Sequence, residues 1–248
     1  MFQRHDLVYL SAAGWQQVRQ QLSSADLETA SQWESADWPA IVRRGELSSA
    51  APSVASCTAA AETVEAATLN DQYSGKLLNI GIALPRRLDG SKHRVALRIA
   101  ASHVSSLQKP VKLADAAGSA LEPWRQGLLA LDAQAKKLGI SLQVFGSLAM
   151  QNLTGLSYLH ADSDIDILFR PASAVQLHAG LALLANFSHD LPLDGEVQFP
   201  DASAVAWKEL SAYSANSSMA GMRVLTKSLH RVALLPISAL LAGFEQAA

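Results

Sequence analysis

Cysteine is almost absent from this chain of 248 residues, with Cys57 standing alone. That excludes an intramolecular disulfide and any metal site built on several cysteine thiolates. Long hydrophobic runs are missing too, although 49% of the residues are hydrophobic. No uncharged apolar stretch approaches the roughly 18 residues needed to span a bilayer, so no membrane partner is expected. Arg4, His5 and Asp6 precede only the short run LVYL, which is not the apolar core of a signal peptide. The expected location is therefore cytoplasmic. A basic surplus is also lacking, since the formal net charge is -2. That balance argues against a general nucleic-acid binder and leaves room only for a local basic pocket facing a phosphorylated ligand. At this length the chain holds one large domain or two small ones.

What is present reads as short strands and helices in alternation. HDLVYLS is a short apolar run, and Trp15, Val18 and Leu22 then recur at helical spacing. WPAIVRR suggests a strand ending at Arg43 and Arg44, whose guanidinium forks match phosphate oxygens, although a solvated strand end is the simpler account. Residues 45–72 are rich in Ala and Ser and hold no aromatic residue. They are compatible with a weak helix over Cys57–Leu69 or with a long loop. Residues 75–100 read as strand, turn and strand, with Asp89-Gly90 as the turn signal. Arg86, Arg87, Lys92, Arg94 and Arg98, with His93 among them, give this hairpin the densest positive charge in the chain. It is either a phosphate-facing wall or simply a polar hairpin tip. Val104–Leu113 adds a further short segment, and LADAAGSALEP reads as a connection. The expected division is a smaller N-terminal α+β domain over 1–118 and a second domain over 119–248.

The second half has clearer grammar. Leu121–Leu138 reads as a helix, with Pro123 in its first turn, Leu128, Leu131 and Leu138 at helical intervals, and Gly139 ending it. ISLQVF is a strand, and Gly146-Ser147 turns into the short helix LAMQNLTG. A helix that starts directly after glycine presents unpaired N–H groups and partial positive charge to whatever lies before it. DIDILF is the next strand. There Asp164 and Asp166 alternate with Ile165 and Ile167, so both carboxylates point to one face. Adjacent carboxylates repel unless a cation sits between them, and their hard oxygens suit magnesium. An isolated D-x-D is more often a solvated strand end, and the Gly-Ser turn upstream shifts that balance. SAVQLHAGLALLANF follows as a helix, then GEVQF as a strand after an Asp194-Gly195 turn, with Glu196 and Gln198 on one face. AVAWKEL reads as helical, and GMRVLTK as a strand ending in Lys227.

This order resembles the DNA polymerase β-like nucleotidyltransferase superfamily: strand, Gly-Ser, helix, Asp-x-Asp strand, helix, acidic strand. The interval between Ser147 and Asp164 is longer than that superfamily commonly shows, so TGLSYLHADS is expected to hold a loop extension. More of the chain resembles one family in order: RHDLVYLS, WPAIVRR, GIALPRR, VFGSLAMQNLTGLSYL, SDIDILF, LDGEVQFPDASAVAWKEL and RVLTKS. That family is the phosphoribosyl-dephospho-CoA transferase of malonate decarboxylase. The resemblance implies an α+β fold with a C-terminal mixed sheet flanked by helices. It implies transfer of the phosphoribosyl-dephospho-CoA group from 2'-(5''-triphosphoribosyl)-3'-dephospho-CoA to a serine of an apo acyl carrier protein, with release of pyrophosphate. It further implies Mg2+ held by Asp164, Asp166 and Glu196, with Glu196 helping to deprotonate or position the serine hydroxyl. Gly146 and Ser147 would hold the leaving phosphates, and Lys227, Arg43, Arg44 and Arg94 are candidates for further phosphate contacts. His160 and Asp162 are read as loop residues. Two alternatives remain open: an adenylyltransferase that uses ATP, and a non-catalytic binding module of the same fold.

Overall fold

The computed structural model describes residues 1–45, 63–65, 75–86, 91, 93–214 and 221–246. Cys57, Arg87, the Asp89-Gly90 turn and Lys92 fall outside them, as does the expected weak helix except for Thr63–Glu65, which is a strand. The chain divides into two units, Met1–Pro110 and Val111–Ala248.

The first unit contains β1 (Leu7–Leu10), α1 (Ala12–Arg19), α2 (Ser24–Ser35), β2 (Ala40–Val42), β3 (Thr63–Glu65), β4 (Leu77–Ala83), β5 (Arg94–Ala100) and β6 (Val104–Gln108). Its sheet runs β3-β6-β1-β2-β4-β5 with antiparallel pairing throughout. β5 shows the alternation of a half-buried strand, with Val95, Leu97 and Ile99 inside and Arg94, Ala96 and Arg98 outside. Its free edge is covered by α1. Gln21 accepts from the Arg98 N–H at 2.9 Å and donates to the Arg98 carbonyl at 2.7 Å. Gln17 accepts from the Ala100 N–H at 2.9 Å. Two side-chain amides thus satisfy backbone groups that an edge strand otherwise leaves open. Ser11 caps α1 by accepting from the Gly14 N–H, and Trp15 and Val18 are buried. Leu22 lies in the turn before α2.

The second unit contains β7 (Val111–Lys112), α3 (Leu113–Ala116), α4 (Glu122–Lys137), β8 (Leu142–Phe145), α5 (Gly146–Thr154), β9 (Ile165–Phe169), α6 (Ala174–Phe187), β10 (Leu193–Gln198), β11 (Ala204–Ala206), α7 (Trp207–Ser214), β12 (Arg223–Lys227), β13 (Val232–Pro236) and α8 (Ile237–Gln246). The sheet order is β13-β12-β11-β10-β9-β8-β7. β9 and β10 are parallel and the other pairings antiparallel, so the fold is α+β with a mixed sheet. Val144, Ile167, Phe169 and Val197 join Leu128 and Leu131 of α4 and Leu177, Leu181 and Leu184 of α6 in one apolar core.

Three local expectations change. The stretch LADAAGSALEP is not a bare connection, because Leu113, Ala116, Ala117 and Ala120 are buried in that core. Val111 and Lys112 pair with β8, which places residues 111–118 with the second unit. AVAWKEL is helical only from Trp207, since Ala204–Ala206 pairs antiparallel with Glu196–Gln198 as β11. A three-residue strand of small residues carries no periodicity of its own, and its partner across the turn decides it.

Candidate active site

β8 ends at Phe145 and α5 begins at once with Gly146. The first N–H groups of such a helix have no intrahelical acceptor, and they face the ground before the strand end. Gly146 has φ +66, and a Cβ there would fall on Oδ2 of Asp166. Glycine alone adopts that backbone cheaply and leaves room for the carboxylate. Phe145 pairs with Asp166 across β8 and β9. The Gly-Ser turn and the second aspartate, far apart in sequence, are therefore packed against each other. Ser147 stands partly exposed in the first turn of α5.

The segment between them is tied down rather than loose. The Gln151 carboxamide accepts from the N–H groups of Tyr158 at 2.9 Å and Leu159 at 3.0 Å, and donates to the Ser119 carbonyl at 2.6 Å. Ser163 is buried and accepts from the His160 N–H at 3.0 Å, closing the turn immediately before Asp164. Burial pushes the Tyr158 phenol well up from its ordinary value, with a Thr154 hydrogen bond acting the other way. That ring stays neutral and serves packing. Replacing Gln151 with Leu strands two amides, and a loss of about 1–3 kcal/mol is expected. Thermal unfolding, with hydrogen exchange at Tyr158 and Leu159, checks it.

Asp164 is exposed and sits one residue before β9, while Asp166 is half-buried within it. Ile165 and Ile167 between and beyond them are fully buried, so the two carboxylates share the face away from the core. On the parallel neighbour β10, Asp194 stands in register with Asp166, and Glu196 with Leu168. Asp194 is a strand residue, since β10 starts at Leu193 and no turn intervenes. Glu196 is 7% exposed, and Lys227 Nζ lies 3.4 Å from its Oε1. The structure thus brings together two predicted site residues, Glu196 and Lys227, as a pair. Lys208 Nζ lies 3.6 Å from Asp194 Oδ1. Behind these rows Arg170 donates to the amide oxygens of Gln143 and Gln198, tying β8, β9 and β10 together.

Among the described residues no three His, Cys, Asp or Glu side chains are drawn together as a ready-made metal site. Magnesium does not require one, because it is commonly held by one or two carboxylates plus substrate phosphates. Asp164 and Asp166 supply hard oxygens beside a helix N-terminus, and the space vacated at Gly146 holds one of them. The donor set fits that ion.

The basic candidates of the first unit are spread out. Arg43 and Arg44 are exposed just past β2, and the Arg43 N–H donates to the Asn79 carbonyl at 2.9 Å. Asn79 is paired with Arg98 on β5, whereas Arg94 is paired with Ala83 at the far end of that strand. Arg98 therefore shares a row with Arg43, and Arg94 does not. His93 Nε2 lies 2.8 Å from Asp26 Oδ1, which ties the hairpin to α2.

Asp194, Lys208 and Gln151 were not singled out by sequence reasoning. Starting β10 at Leu193, whose apolar side chain matches Ile165 across the pair, would have exposed Asp194. Nothing in sequence spacing points to Lys208.

The family model for the C-terminal domain of phosphoribosyl-dephospho-CoA transferase MdcG matches residues 112–237, and that for its N-terminal domain matches residues 3–56. The chain belongs to the phosphoribosyl-dephospho-CoA transferase family. A phosphoribosyl-dephospho-CoA transferase of Bradyrhizobium diazoefficiens is 32% identical over 94% of this chain and 89% of its own. One of Xanthomonas axonopodis pv. citri is 35% identical over 96% of this chain and 95% of its own. One of Xanthomonas campestris pv. campestris is 35% identical over 66% of this chain and 73% of its own. No solved structure matches. The family makes this chain an enzyme, a transferase. Its C-terminal match encloses Gly146, Asp164, Asp166, Asp194, Glu196 and Lys227, while its N-terminal match takes in Arg43 and Arg44. Arg94 lies between the two matches. Among the described residues no helix is long and apolar enough to cross a membrane.

Proposed function

We propose that the enzyme transfers the phosphoribosyl-dephospho-CoA group from 2'-(5''-triphosphoribosyl)-3'-dephospho-CoA to a serine of the apo acyl carrier protein of malonate decarboxylase, as a cytoplasmic nucleotidyltransferase that releases pyrophosphate. The observation that carries this reading is the packing of Asp166 into the space at Gly146, at a helix N-terminus, in a chain of this family. Phosphoryl transfer needs charge held on the leaving phosphates and an aligned nucleophile.

Asp164 and Asp166 would hold Mg2+, which when bound supplies charge neutralisation on the donor phosphates. The N–H groups at the start of α5, which have no acceptor within the helix, and the Ser147 hydroxyl would receive the leaving pyrophosphate. Glu196, oriented by Lys227, would take up or direct the proton of the serine hydroxyl. Arg43, Arg44 and Arg94, in the first unit, are proposed as candidates for binding phosphate. The test presents the purified enzyme and apo carrier with the triphosphate donor or with ATP, and reads pyrophosphate release. Release with the donor and not with ATP is expected. Release with ATP and an adenylyl gain on the carrier would instead show an adenylyltransferase.

A further inference from the structure

Val144, Ile167, Phe169 and Val197 turn to the helices of the second unit, so Asp166 and Glu196 belong to the other face of its sheet. Register carries that face outward. Glu196 stands opposite Ala206 and Gln198 opposite Ala204 on β11, and Ala204 stands opposite Lys227 on β12. Lys227 and Leu225 then stand opposite Val232 and Leu234 on β13. Directly opposed residues of neighbouring strands share a face. Leu225, Val232 and Leu234 therefore lie on the face of the carboxylates, and they are 40%, 41% and 54% exposed. β13 is the outer strand of the sheet, and its sequence VALLP carries no charge. Proteins normally blunt such an edge with charged side chains, and apolar side chains left exposed side by side mark an interaction surface. The surroundings are basic. No Asp or Glu occurs between Glu209 and Glu245, whereas Arg223, Lys227, His230 and Arg231 all fall there. Arg223 stands opposite Pro236 at one end of the hairpin, with Nη2 donating to the Leu234 carbonyl at 2.6 Å, and the exposed Arg231 lies at the turn. Of the acids beside the hairpin, Glu209 accepts from the Leu225 N–H at 3.2 Å and Glu196 faces Lys227.

We propose that Leu225, Val232 and Leu234 form the docking surface for the apo carrier protein. The partner surface that fits holds an apolar side chain close to the acceptor serine and carboxylates around it. The apolar contact holds the carrier, while Arg223 and Arg231 steer its approach and set its orientation through complementary charge. This inference rests on the transfer reading above and names the surface that receives its protein substrate. In that reading the pyrophosphate leaves toward the start of α5, which follows β8. An in-line displacement brings the attacking oxygen from the side opposite the leaving group. In sheet order β8 and β11–β13 lie on opposite sides of the β9–β10 pair, so the acceptor serine arrives over β11–β13. Ala204 and Ala206, on the face between Glu196 and the apolar patch, are small enough to leave it room.

Steady-state labelling of the carrier by the full-length enzyme, with carrier and triphosphate donor varied in turn, is the test. Leu234→Glu is expected to raise KM for the carrier at least about tenfold, with donor KM and kcat within about twofold, the pattern of lost uniform binding. Arg231→Glu is expected to raise carrier KM at low salt and to do so less at high salt, where its charge is screened. Val175→Glu, at an 81% exposed valine on α6, is the control and should leave both KM values unchanged. Leu234→Thr keeps a strand-forming residue and should raise carrier KM about threefold through lost apolar contact, so it decides the matter if Leu234→Glu fails to fold. An unchanged carrier KM in a folded Leu234 variant overturns the inference. A donor KM that rises instead would give the patch to the donor and overturn it too. So would a wild-type dimer that Leu234→Glu dissociates in sedimentation, since a second copy would then cover the patch. The two layers separate cleanly. If the wild-type enzyme releases no pyrophosphate from donor and carrier, the transfer reading fails. If release is normal and carrier KM is the same in Leu234→Glu, only the docking surface fails.

Discussion

Asp166→Asn is expected to lower carrier-protein labelling by more than about 100-fold, beyond the roughly 10–100-fold cost of changing a residue that only supports a metal ligand. The substitution keeps the shape and removes the charge. Asp166 sits in β9 with Ile165 and Ile167 fully buried on its other side and Gly146 leaving it space. An isosteric amide disturbs none of that packing, so the melting temperature should stay within about 2 °C, corresponding to less than 1 kcal/mol at this chain length. Single-turnover labelling and thermal unfolding on the same preparation check the two halves. Activity near wild type at saturating magnesium would remove Asp166 from the site, whereas a fall in melting temperature would make the loss a folding effect.

Gly195→Ala is expected to have the largest effect on stability. Gly195 stands opposite Ile167 in the parallel β9–β10 pair, with φ +123. A Cβ there would fall on the Ile167 carbonyl oxygen and close to the Ile167 amide nitrogen. The obstacle is backbone and cannot rotate away, and alanine strongly resists that φ. Relief requires parting the two strands that carry Asp166 and Asp194. A loss of about 3–5 kcal/mol is expected, which lowers the melting temperature on the order of 10 °C. Gly118→Ala is the comparison, since a Cβ there meets nothing within 4 Å, and it should leave the transition in place. Circular dichroism melts of the two variants provide the measurement.

The parts of this site that could be read from the sequence are those whose chemistry is local. Gly146-Ser147 announces a strand-to-helix turn, and the alternation of Asp164 and Asp166 with two isoleucines announces a face. Pro123 and Lys136-Lys137 mark the ends of α4, which the structure places at Glu122–Lys137. What stayed hidden depends on pairing between distant residues. β11 is three small residues whose strand character comes from β10. β13, beyond Lys227, follows from the pairing of Val232–Pro236 with β12. The opposition of Asp194 to Asp166 is a register, and a one-residue change in where β10 begins would conceal it. The hold of Lys227 on Glu196 joins positions that no helical or strand period relates. The long interval before Asp164 looked like an extension, and Gln151 turns it into a fastened segment.

The measurement closest to the central claim is the intact mass of the purified apo carrier protein after incubation with the enzyme, magnesium and 2'-(5''-triphosphoribosyl)-3'-dephospho-CoA. The account predicts a gain equal to one phosphoribosyl-dephospho-CoA group on a serine, one pyrophosphate released per carrier, and no gain when Asp166→Asn replaces the wild-type enzyme. A carrier that stays unmodified with active wild-type enzyme and intact donor, or one that gains the same group from the Asp166→Asn enzyme at the wild-type rate, would contradict it.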